Sequence, residues 1–578
     1  MFILNQYIEL WCAYGKGRQE GEQLEVTVQM IAETLFCTER NSKLIIKKLE
    51  ELNWIAWFPG RGRGNRSKLI FQKQPMTLIL DRGKELTKKG DVKSGISFVE
   101  RYSSQFPLVK KEYEAWVDSI FGHKIERTPE GRKDVLRLQV QMNLDIALDP
   151  VYATMRSECH MVKHIFDTLV YVNEETNSIE PRLAFHWQYN DAEKVWTFYL
   201  RKGVHLHNRK RLTAHDVIHS LNRFMKAENN PHAWMLQHVE NVRAVDEFVV
   251  EIQLHTENRM FLHMLSAEQC SIVNEDEARN FIGTGPFILR EKNAQLFVLE
   301  VHDLYYRERP FLDRIELMNV EQNVNTYDVL VKAEYKDKEK PNKELSRLES
   351  NVTYVTCNLV KEGPMQDELF RKALHKIIHG DRIVQELGGE RGEVAKKLIL
   401  ANERKVEIKE EIECLVKRSM YHHEVLQLYT FTGQDHVEDA QWIQKECAKY
   451  GIRVETNFLE VEELLEISTI QKADMMHDSA TISERIEDSL LYMFLTKNSF
   501  IHGQSSMDFH KKFSPYFKEE DLENRVTLLR DIEDTLLRHI HIIPLYRKKQ
   551  QVTSHEKVQN IMINSQGWID FYEIWFTC

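Results

Sequence analysis

The first 75 or so residues space their hydrophobic and polar positions in a way that predicts three helices and a β-hairpin. Apolar side chains recur at helical spacing over residues 2–11. Thr27 and Thr38 stand where a hydroxyl can cap a second and a third helix. Two strand-like runs follow at residues 54–58 and 68–71. This order of elements predicts a winged helix-turn-helix.

The predicted third helix, which runs to about Leu52, separates its side chains onto two faces. The positions predicted to face inward are Leu44, Ile45, Leu49 and Leu52. The polar residues on or near the outer face are Glu39, Arg40, Asn41, Lys43 and Lys47. A helix that enters the major groove presents such side chains from its first turns.

Beyond this segment the pattern changes twice. Residues from about 76 to 130 alternate charged and apolar positions, which predicts linking helices. Residues 135–140 and 196–200 then alternate as strands, and Thr213 can cap a helix that includes Asp216. The fold class is therefore predicted to be α/β after the linking helices.

Length and composition predict several folded domains. The chain has 578 residues, of which 42% are hydrophobic and 29% charged. Its N-terminus lacks a basic segment followed by an apolar one, and no apolar run approaches the ~20 residues that cross a bilayer. The eight cysteines lie at least 25 positions apart, so they form no redox or zinc motif. We expect a cytoplasmic protein with no membrane insertion.

Charge is distributed unevenly along the chain. The net charge is -11, yet residues 40–73 carry nine Lys or Arg residues against Glu50 and Glu51. Clustered cations displace the counterions of a polyanion, whereas acidic surface repels phosphate. The N-terminal segment alone is therefore predicted to meet nucleic acid.

Residue types in this segment match the chemistry of DNA. Arginine suits guanine, asparagine suits adenine, and serine or lysine suits phosphate. The glycines of the hairpin loop let its arginines approach the minor groove closely. The predicted DNA-binding residues are Thr38, Arg40, Asn41, Ser42, Lys43, Lys47, Arg61, Arg63, Arg66 and Lys68.

Residues 38–41, 53–57 and 59–69, the last with its Gly-Arg-Gly wing, resemble the N-terminal winged helix of SgrR-type bacterial transcriptional regulators. The resemblance implies sequence-specific binding of operator DNA upstream of a target operon. RNA polymerase and a second copy of the chain are further partners that this reading allows.

The long C-terminal part resembles family 5 extracellular solute-binding proteins, the peptide and nickel receptors of ABC importers. The motifs that carry the resemblance lie at residues 148–150, 179–184, 196–207, 212–217, 283–287, 370–374, 381–384 and 542–546. The resemblance implies two α/β lobes of the type II periplasmic-binding-protein class around a ligand cleft.

The expected division of the chain follows from both resemblances. The winged helix is placed at residues 1–75, a helical linker at 76–130 and the solute-binding-like domain at 131–578. Lobe I is expected at about 131–318 and 490–578, and lobe II at about 319–489.

The predicted ligand-binding residues rest on placement within this family and are Tyr152, Asn358, His477 and Asp478. Peptide receptors hold the peptide amine with an aspartate and aromatic side chains, and the aromatic anchors are missing from residues 473–481. Lobe II is also short. The ligand is therefore expected to be a small solute, such as a sugar phosphate, an oligopeptide or a similar compound.

Catalysis has little support in the sequence. His160 with His164 and His215 with His219 have metal-ligand spacing, but neither pair forms an HExxH motif, and 24 histidines make such pairs common. There is no GxSxG elbow and no phosphate-binding GxxxxGK[ST] loop. We expect no catalytic residues, no metal and no cofactor.

The sequence thus favours a one-component transcription regulator that binds DNA and closes its two lobes on a solute. Closure is expected to change the pose of the linking helices. Two alternatives stay open. One is the substrate-binding component of an oligopeptide-type ABC transporter, and the other is a metal-dependent hydrolase that uses a histidine pair.

Overall fold

The computed structural model describes residues 2–18, 21–60, 66–88, 91–129, 131–140, 144–173, 176–274, 281–319, 343–348, 351–399, 408–482, 486–554, 558–560 and 569–577. Within these ranges, no helix combines the length and apolar character that crossing a bilayer requires.

The N-terminal module contains three helices and a small antiparallel sheet. Its elements are α1 (Phe2–Leu10), a π-helical turn (Trp11–Gly15), β1 (Gln23–Val26), α2 (Val28–Thr34), α3 (Glu39–Glu51), β2 (Ile55–Phe58) and β3 (Ser67–Phe71). The strand order is β1-β3-β2. Thr27 accepts a hydrogen bond from the Met30 amide and Thr38 accepts one from the Asn41 amide, so both predicted caps are confirmed.

The predicted faces of α3 need a correction. Its buried residues are Ser42, Ile45, Ile46 and Leu49, whereas Leu44 is 61% exposed. The Ser42 hydroxyl donates to the Thr38 carbonyl oxygen and lies 3.2 Å from the Cys37 Sγ, so the core satisfies it. The helix is therefore rotated relative to the prediction, with a small polar residue inside and a leucine outside.

Three linker helices follow the winged helix: α4 (Pro75–Lys88), α5 (Val92–Ser103) and α6 (Pro107–Ile120). Their apolar faces share one core with Leu4 and Ile8 of α1 on one side. On the other side that core includes Leu296, Val298 and Met318 of the following domain. The linker therefore joins the two parts of the molecule through a continuous apolar contact.

The next stretch forms most of lobe I. Its strands are β4 (Gly122–Thr128), β5 (Gly131–Val140), β6 (Val170–Val172), β7 (Ile179–Pro181), β8 (Ala184–Asn190), β9 (Val195–Leu200), β10 (Val239–Asp246), β11 (Val249–Leu254), β12 (Phe287–Lys292), β13 (Leu296–Val301) and β14 (Arg314–Asn319). Its helices are α7 (Arg156–Ile165), α8 (Ala214–Lys226) and α9 (Phe261–Leu265).

Lobe I contains two main sheets, with strand orders β12-β13-β14-β5-β4 and β10-β11-β9-β8. The predicted strand at residues 196–200 is β9, and Thr213 and Asp216 form the predicted capping box at the start of α8. Strand β4 was expected in the linker but pairs with β5 along its whole length. The linker therefore ends at α6, because residues 122–128 complete the edge of a lobe I sheet.

Lobe II is built on a second sheet. Its elements are β15 (Lys343–Leu348), β16 (Asn351–Cys357), α10 (Glu368–Ile377), α11 (Gly380–Leu387), β17 (Arg391–Val394), α12 (Ile412–Arg418), β18 (Val425–Phe431), α13 (Gln434–Ala448), β19 (Arg453–Leu459), α14 (Val461–Leu464), α15 (Ile467–Lys472) and β20 (Met475–Thr481).

After β20 the chain returns to lobe I, and a later strand then crosses back into lobe II. The remaining elements are α16 (Ile486–Leu495), α17 (Phe500–Gly503), α18 (Phe509–Phe513), α19 (Leu522–Arg538), β21 (Ile542–Ser554), β22 (Val558–Gln559) and β23 (Trp575–Phe576). Strand β21 was expected in lobe I but hydrogen-bonds to β16 in the lobe II sheet. The order of that sheet is β15-β21-β16-β20-β18-β19, and β17 pairs with β21 beside it. Backbone pairing over a separation of nearly 200 residues decides this placement.

Several histidines are fully buried in the two-lobed domain, and His541 is one of them. Burial lowers its pKa to about 3, whereas an unfolded imidazole titrates near 6.5. Between these values the unfolded chain binds a proton that the folded chain does not, so stability falls as the pH drops below about 6.5.

We expect His541→Leu to reduce the pH dependence of the free energy of unfolding by about one proton between pH 5 and 6. Urea titrations across this range measure the slope. The exposed His215→Leu serves as the control for the loss of one imidazole from the chain. An unaltered slope in the His541 variant would contradict the prediction.

Candidate functional site

The outer face of α3 is polar and cationic. Arg40, Asn41, Lys43 and Lys47 are all exposed. Thr38 is also exposed, and its hydroxyl is engaged in the helix cap. The helix therefore presents four of the predicted DNA-binding side chains to solvent from its first two turns and the start of its third.

Ser42 does not join this face. Its side chain is 0% exposed and is hydrogen-bonded inside the module. This placement corrects the prediction that Ser42 contacts phosphate, because a fully buried hydroxyl cannot reach DNA.

The hairpin of β2 and β3 lies next in the chain. The Gly60 amide donates to the Ser67 hydroxyl, which fixes the base of the loop. Arg66 and Lys68 are exposed at the start of β3. Arg61 and Arg63, which were predicted to enter the minor groove, lie outside the described residues.

A second candidate site is a cavity of about 710 Å³ between the lobes. Its walls come from α7 and α9 of lobe I, from the ends of β16, β18, β19 and β20 in lobe II, and from α16 and α17. Pockets of 300–1,000 Å³ bury most of a small organic ligand. The volume therefore fits a small solute.

Asp478 is the predicted ligand-binding residue that lines this cavity. Its carboxylate accepts a hydrogen bond of 2.8 Å from the Tyr354 hydroxyl and one of 2.7 Å from the Ser479 amide. Burial raises the pKa of Asp478, although these hydrogen bonds and the nearby charge of Arg156 oppose the rise.

Two lysines of the cavity wall are paired with partly buried aspartates. Lys163 lies 2.9 Å from Asp570, and Lys548 forms an ion pair with Asp435. Burial alone would raise the pKa of both aspartates, but the charges around them outweigh it and lower their pKa. Both cations are therefore neutralised by carboxylates from the protein itself.

Methionines make up a large part of the apolar lining, and the members are Met155, Met235, Met260, Met264 and Met493. Trp234, Tyr492 and Phe500 lie in the same wall. Thioether side chains are polarisable and flexible, and they adapt to apolar or aromatic groups. The cavity therefore offers an adaptable apolar surface beside its polar groups.

Tyr152 and Asn358 lie outside the lining of the cavity. The Tyr152 hydroxyl donates to the Glu228 carbonyl oxygen at 3.0 Å on the protein surface. The Asn358 amide donates to the Ala473 carbonyl oxygen at 2.8 Å, and its oxygen accepts from two backbone amides. Asn358 therefore holds the loop after β16 in place.

His477 lies behind the cavity wall in a buried charged cluster. Its Nδ1 is 3.1 Å from the Thr430 hydroxyl, and its Nε2 is 3.2 Å from the Asp439 carboxylate. Its ring centroid is 4.9 Å from that of His436, which does line the cavity. His477 can therefore influence a ligand through His436 and not by direct contact.

Asp439 is the centre of that cluster. Its side chain is 0% exposed, and it accepts hydrogen bonds from Arg391 at 2.8 Å and from the Tyr546 hydroxyl at 2.5 Å. Burial disfavours the charged form, but the hydrogen bond from His477 and the charge of Arg391 outweigh it and lower the pKa of Asp439. The cluster joins α13 to β17, β20 and β21.

Sequence reasoning missed most of the cavity residues. Arg156, Lys163, Tyr354 and Lys548 are separated by up to about 390 positions and carry no common motif. Met260 and Met264 stand at helical spacing, a pattern that more often indicates core. Only the fold brings these residues together.

The histidine pairs do not form a metal centre in the described parts of the chain, where no group of three or more His, Cys, Asp or Glu side chains is placed to hold an ion. His160 and His164 are buried, with ring centroids 4.6 Å apart, and His164 stacks on Phe571. This pair therefore packs inside lobe I.

Comparison with protein families gives two matches. Residues 178–501 match the bacterial extracellular solute-binding proteins of family 5, in their middle region. Residues 3–115 match the N-terminal domain of the sugar transport-related sRNA regulator. The second match runs from α1 into α6 and so includes most of the linker helices.

Relatives resemble the chain over its full length. The uncharacterized protein YhjP of Bacillus subtilis (strain 168) is 36% identical over 586 aligned positions, which cover 100% of both chains. The HTH-type transcriptional regulator SgrR of Yersinia pseudotuberculosis is 25% identical, with 100% of this chain and 98% of the relative covered. Together with the two family matches, the SgrR relative supports a transcription regulator with a binding-protein-like domain and points to a non-enzymatic role.

Solved structures share the two-lobed fold. The oligopeptide-binding protein AppA of Bacillus subtilis, in complex with a nonapeptide, has a TM-score of 0.64 and 16% identity over 77% of this chain and 100% of AppA. The dipeptide-binding protein of Pseudoalteromonas sp. SM9913, in complex with Met-Leu, has a TM-score of 0.65 and 15% identity with the same coverage. At these identities the likeness shows the fold alone.

Proposed function

This chain belongs to family 5 of the bacterial solute-binding proteins and carries the N-terminal domain of SgrR-type regulators, and on that premise we propose that it is a cytoplasmic transcription regulator. Its winged helix binds operator DNA, and the cavity between its lobes binds a small solute. The observation that carries the proposal is that the module with the exposed cationic helix α3 shares a core, through its helix α1 and the linker helices, with a cavity-bearing domain.

The DNA-binding half of the proposal rests on the distribution of charge. Arg40, Lys43, Lys47, Arg66 and Lys68 are exposed on one small module, whereas the whole chain has a net charge of -11. Phosphate contacts by such cations position a protein on DNA, and Arg40 and Asn41 can then read base edges.

The cavity favours an uncharged or zwitterionic solute with an apolar part over a sugar phosphate. A phosphate needs cations that are not already neutralised, yet Lys163 and Lys548 are each paired with an aspartate, and Arg156 lies close enough to Asp478 to lower its pKa. Asp478 adds a carboxyl group next to the methionine lining. A short peptide or a solute of similar size and polarity meets these conditions.

The shared core of the linker determines how solute binding can affect DNA binding. The linker core contains residues of α1, of α4–α6 and of the lobe I sheet. The winged helix is therefore attached to lobe I, and a solute that closes the cavity moves lobe II relative to the DNA. A second copy of the chain or RNA polymerase bound beside the operator would then contact lobe II in a different position. The solute shifts the balance between the open and closed forms only through its difference in affinity for them.

Selection of sheared genomic DNA from the host on the full-length protein tests the proposed function. We expect a small set of fragments from upstream regions to be enriched reproducibly. Recovery of random fragments, with no enrichment over a non-specific background, would contradict a regulator. If the protein then still bound solute, it would be a binding component without a role on DNA.

A substitution that fills the cavity tests the second half. Ala480 is partly exposed on the cavity wall, so Ala480→Trp is expected to abolish the shift in melting temperature that small molecules from a host extract produce in the wild type. DNA binding without solute should remain. Ala192→Trp, at an exposed turn of lobe I, is the matched control and should respond like the wild type. An equal shift in the Ala480 variant would place the solute elsewhere.

A further inference from the structure

The turn between α2 and α3 has an unusual residue at its tightest position. The Cys37 amide donates to the Ala32 carbonyl oxygen at 2.9 Å, and the Phe36 amide donates to the Glu33 carbonyl oxygen at 3.3 Å. This pair of bonds is the Schellman motif that ends many helices. Phe36 occupies the position with positive φ, at +47°, where glycine is usually found.

Burial of the Phe36 side chain does not offset the backbone strain at this position. A side chain with a Cβ atom is disfavoured at positive φ, and an aromatic one more so than asparagine. The Phe36 side chain is nevertheless 96% exposed, so it adds no buried apolar area. Phe36 thus strains the backbone and buries no apolar surface, which indicates a role in binding and not in stability.

A second exposed apolar residue lies on α3, the helix that follows this turn. Leu44 is 61% exposed on α3, one turn after Arg40 and one turn before Lys47 and Lys48. Leu44 therefore stands among cations on α3, and Phe36 is exposed in the turn that leads into the same helix. A polyanion that also carries apolar groups would match both kinds of side chain.

Duplex DNA meets both conditions in its major groove. The phosphates satisfy the cations, and the 5-methyl group of thymine is the apolar group that base edges present there. We propose that Phe36 and Leu44 contact thymine methyl groups and so set part of the sequence specificity of α3. The assignment rests on the proposed function, since it concerns the same DNA surface.

Replacement of thymine by uracil tests the contact, because it removes only the methyl group. The probe is a fragment enriched from genomic DNA by the wild type, prepared with dTTP or with dUTP. The wild type is expected to bind the uracil form about fourfold more weakly for each methyl group that becomes buried. Phe36→Gly and Leu44→Ala should each lose part of this discrimination, and the double variant nearly all of it.

Phe36→Gly separates this role from a structural one. Glycine accepts positive φ without strain, so the variant should keep or raise its urea midpoint while it binds thymine DNA several-fold more weakly. Phe185→Ala, which removes an exposed aromatic side chain from lobe I, is the control and should bind both DNA forms like the wild type.

The outcomes are distinguishable. If the wild type binds its fragments specifically but does not discriminate thymine from uracil, the methyl assignment is overturned while the proposed function stands. A Phe36→Gly variant with a lower urea midpoint would show a role in the fold and would overturn the assignment of Phe36. If the wild type shows no specific DNA binding, the proposed function fails and the assignment fails with it.

Discussion

Simultaneous replacement of Lys43, Lys47, Arg66 and Lys68 by alanine is expected to weaken DNA binding by roughly 10³-fold at 0.1 M salt, because each phosphate contact contributes about 0.9 to the dependence of log K on log salt. All four side chains are exposed on α3 or at the start of β3. The slope of log K against log salt should therefore become shallower by about 3 to 4. Titration of labelled DNA at several salt concentrations measures both quantities.

A variant with the same change in net charge controls for long-range electrostatics. Lys417, Arg418, Lys445 and Lys472 are exposed on lobe II, and their replacement by alanine should leave the salt slope within about 0.5 of the wild type. Loss of affinity in this control as large as in the N-terminal variant would show that net charge, and not a defined surface, determines binding. An unchanged slope in the N-terminal variant would remove α3 and the hairpin as the DNA interface.

Asp439→Ala is expected to destabilise the two-lobed domain by about 3 kcal/mol, the lower end for breaking a buried ion pair. The change leaves the Arg391 guanidinium, whose side chain is 5% exposed, without the carboxylate 2.8 Å from its Nε. Tyr546 and His477 lose an acceptor at the same time. Arg391 keeps its contact with Glu438, which is why the lower end applies. The urea midpoint of the full chain measures the loss.

Glu438→Ala is the matched control for this prediction. Glu438 contacts the same guanidinium at 3.1 Å, but its side chain is 39% exposed, so solvent replaces much of the interaction. The expected cost is below about 1 kcal/mol. Equal effects of the two substitutions would mean that burial does not strengthen the Asp439 pair.

Local features of the fold could be predicted from the sequence because local chemistry determines them. Thr27, Thr38 and Thr213 cap helices through hydrogen bonds that span three residues, and the structure has each of these caps. The alternation of residues 196–200 likewise predicted the strand that the structure has as β9. A cap or an alternating strand depends on neighbours in sequence, so one sequence suffices to recognise it.

Other features depend on contacts that a local pattern does not contain. The rotation of α3 follows from Ser42, which is buried because hydrogen bonds with Thr38 and Cys37 satisfy its hydroxyl. A hydropathy pattern assigns serine to the surface and Leu44 to the core, and both assignments fail here. For this reason the sequence pattern did not predict an exposed leucine on the outer face of α3.

The cavity was the least predictable part. Of the four residues assigned to the ligand, Asp478 lines the cavity, and His477 stands one layer behind it. Lys163 and Lys548 come from distant parts of the domain sequence and line the same cavity because β21 crosses into lobe II. Pairing over such distances depends on the whole fold.

The linker core has a consequence for how this protein can be divided or recombined. Excision after residue 75 would uncover Leu4 and Ile8, which pack against α4–α6, and would expose the apolar face of those helices as well. An N-terminal fragment that folds alone therefore has to extend to the end of α6, and its removal would still leave Leu296, Val298 and Met318 uncovered on the lobe I sheet. Exchange of the N-terminal module between related proteins is therefore expected to succeed only when the linker helices are transferred together with the sheet that they cover.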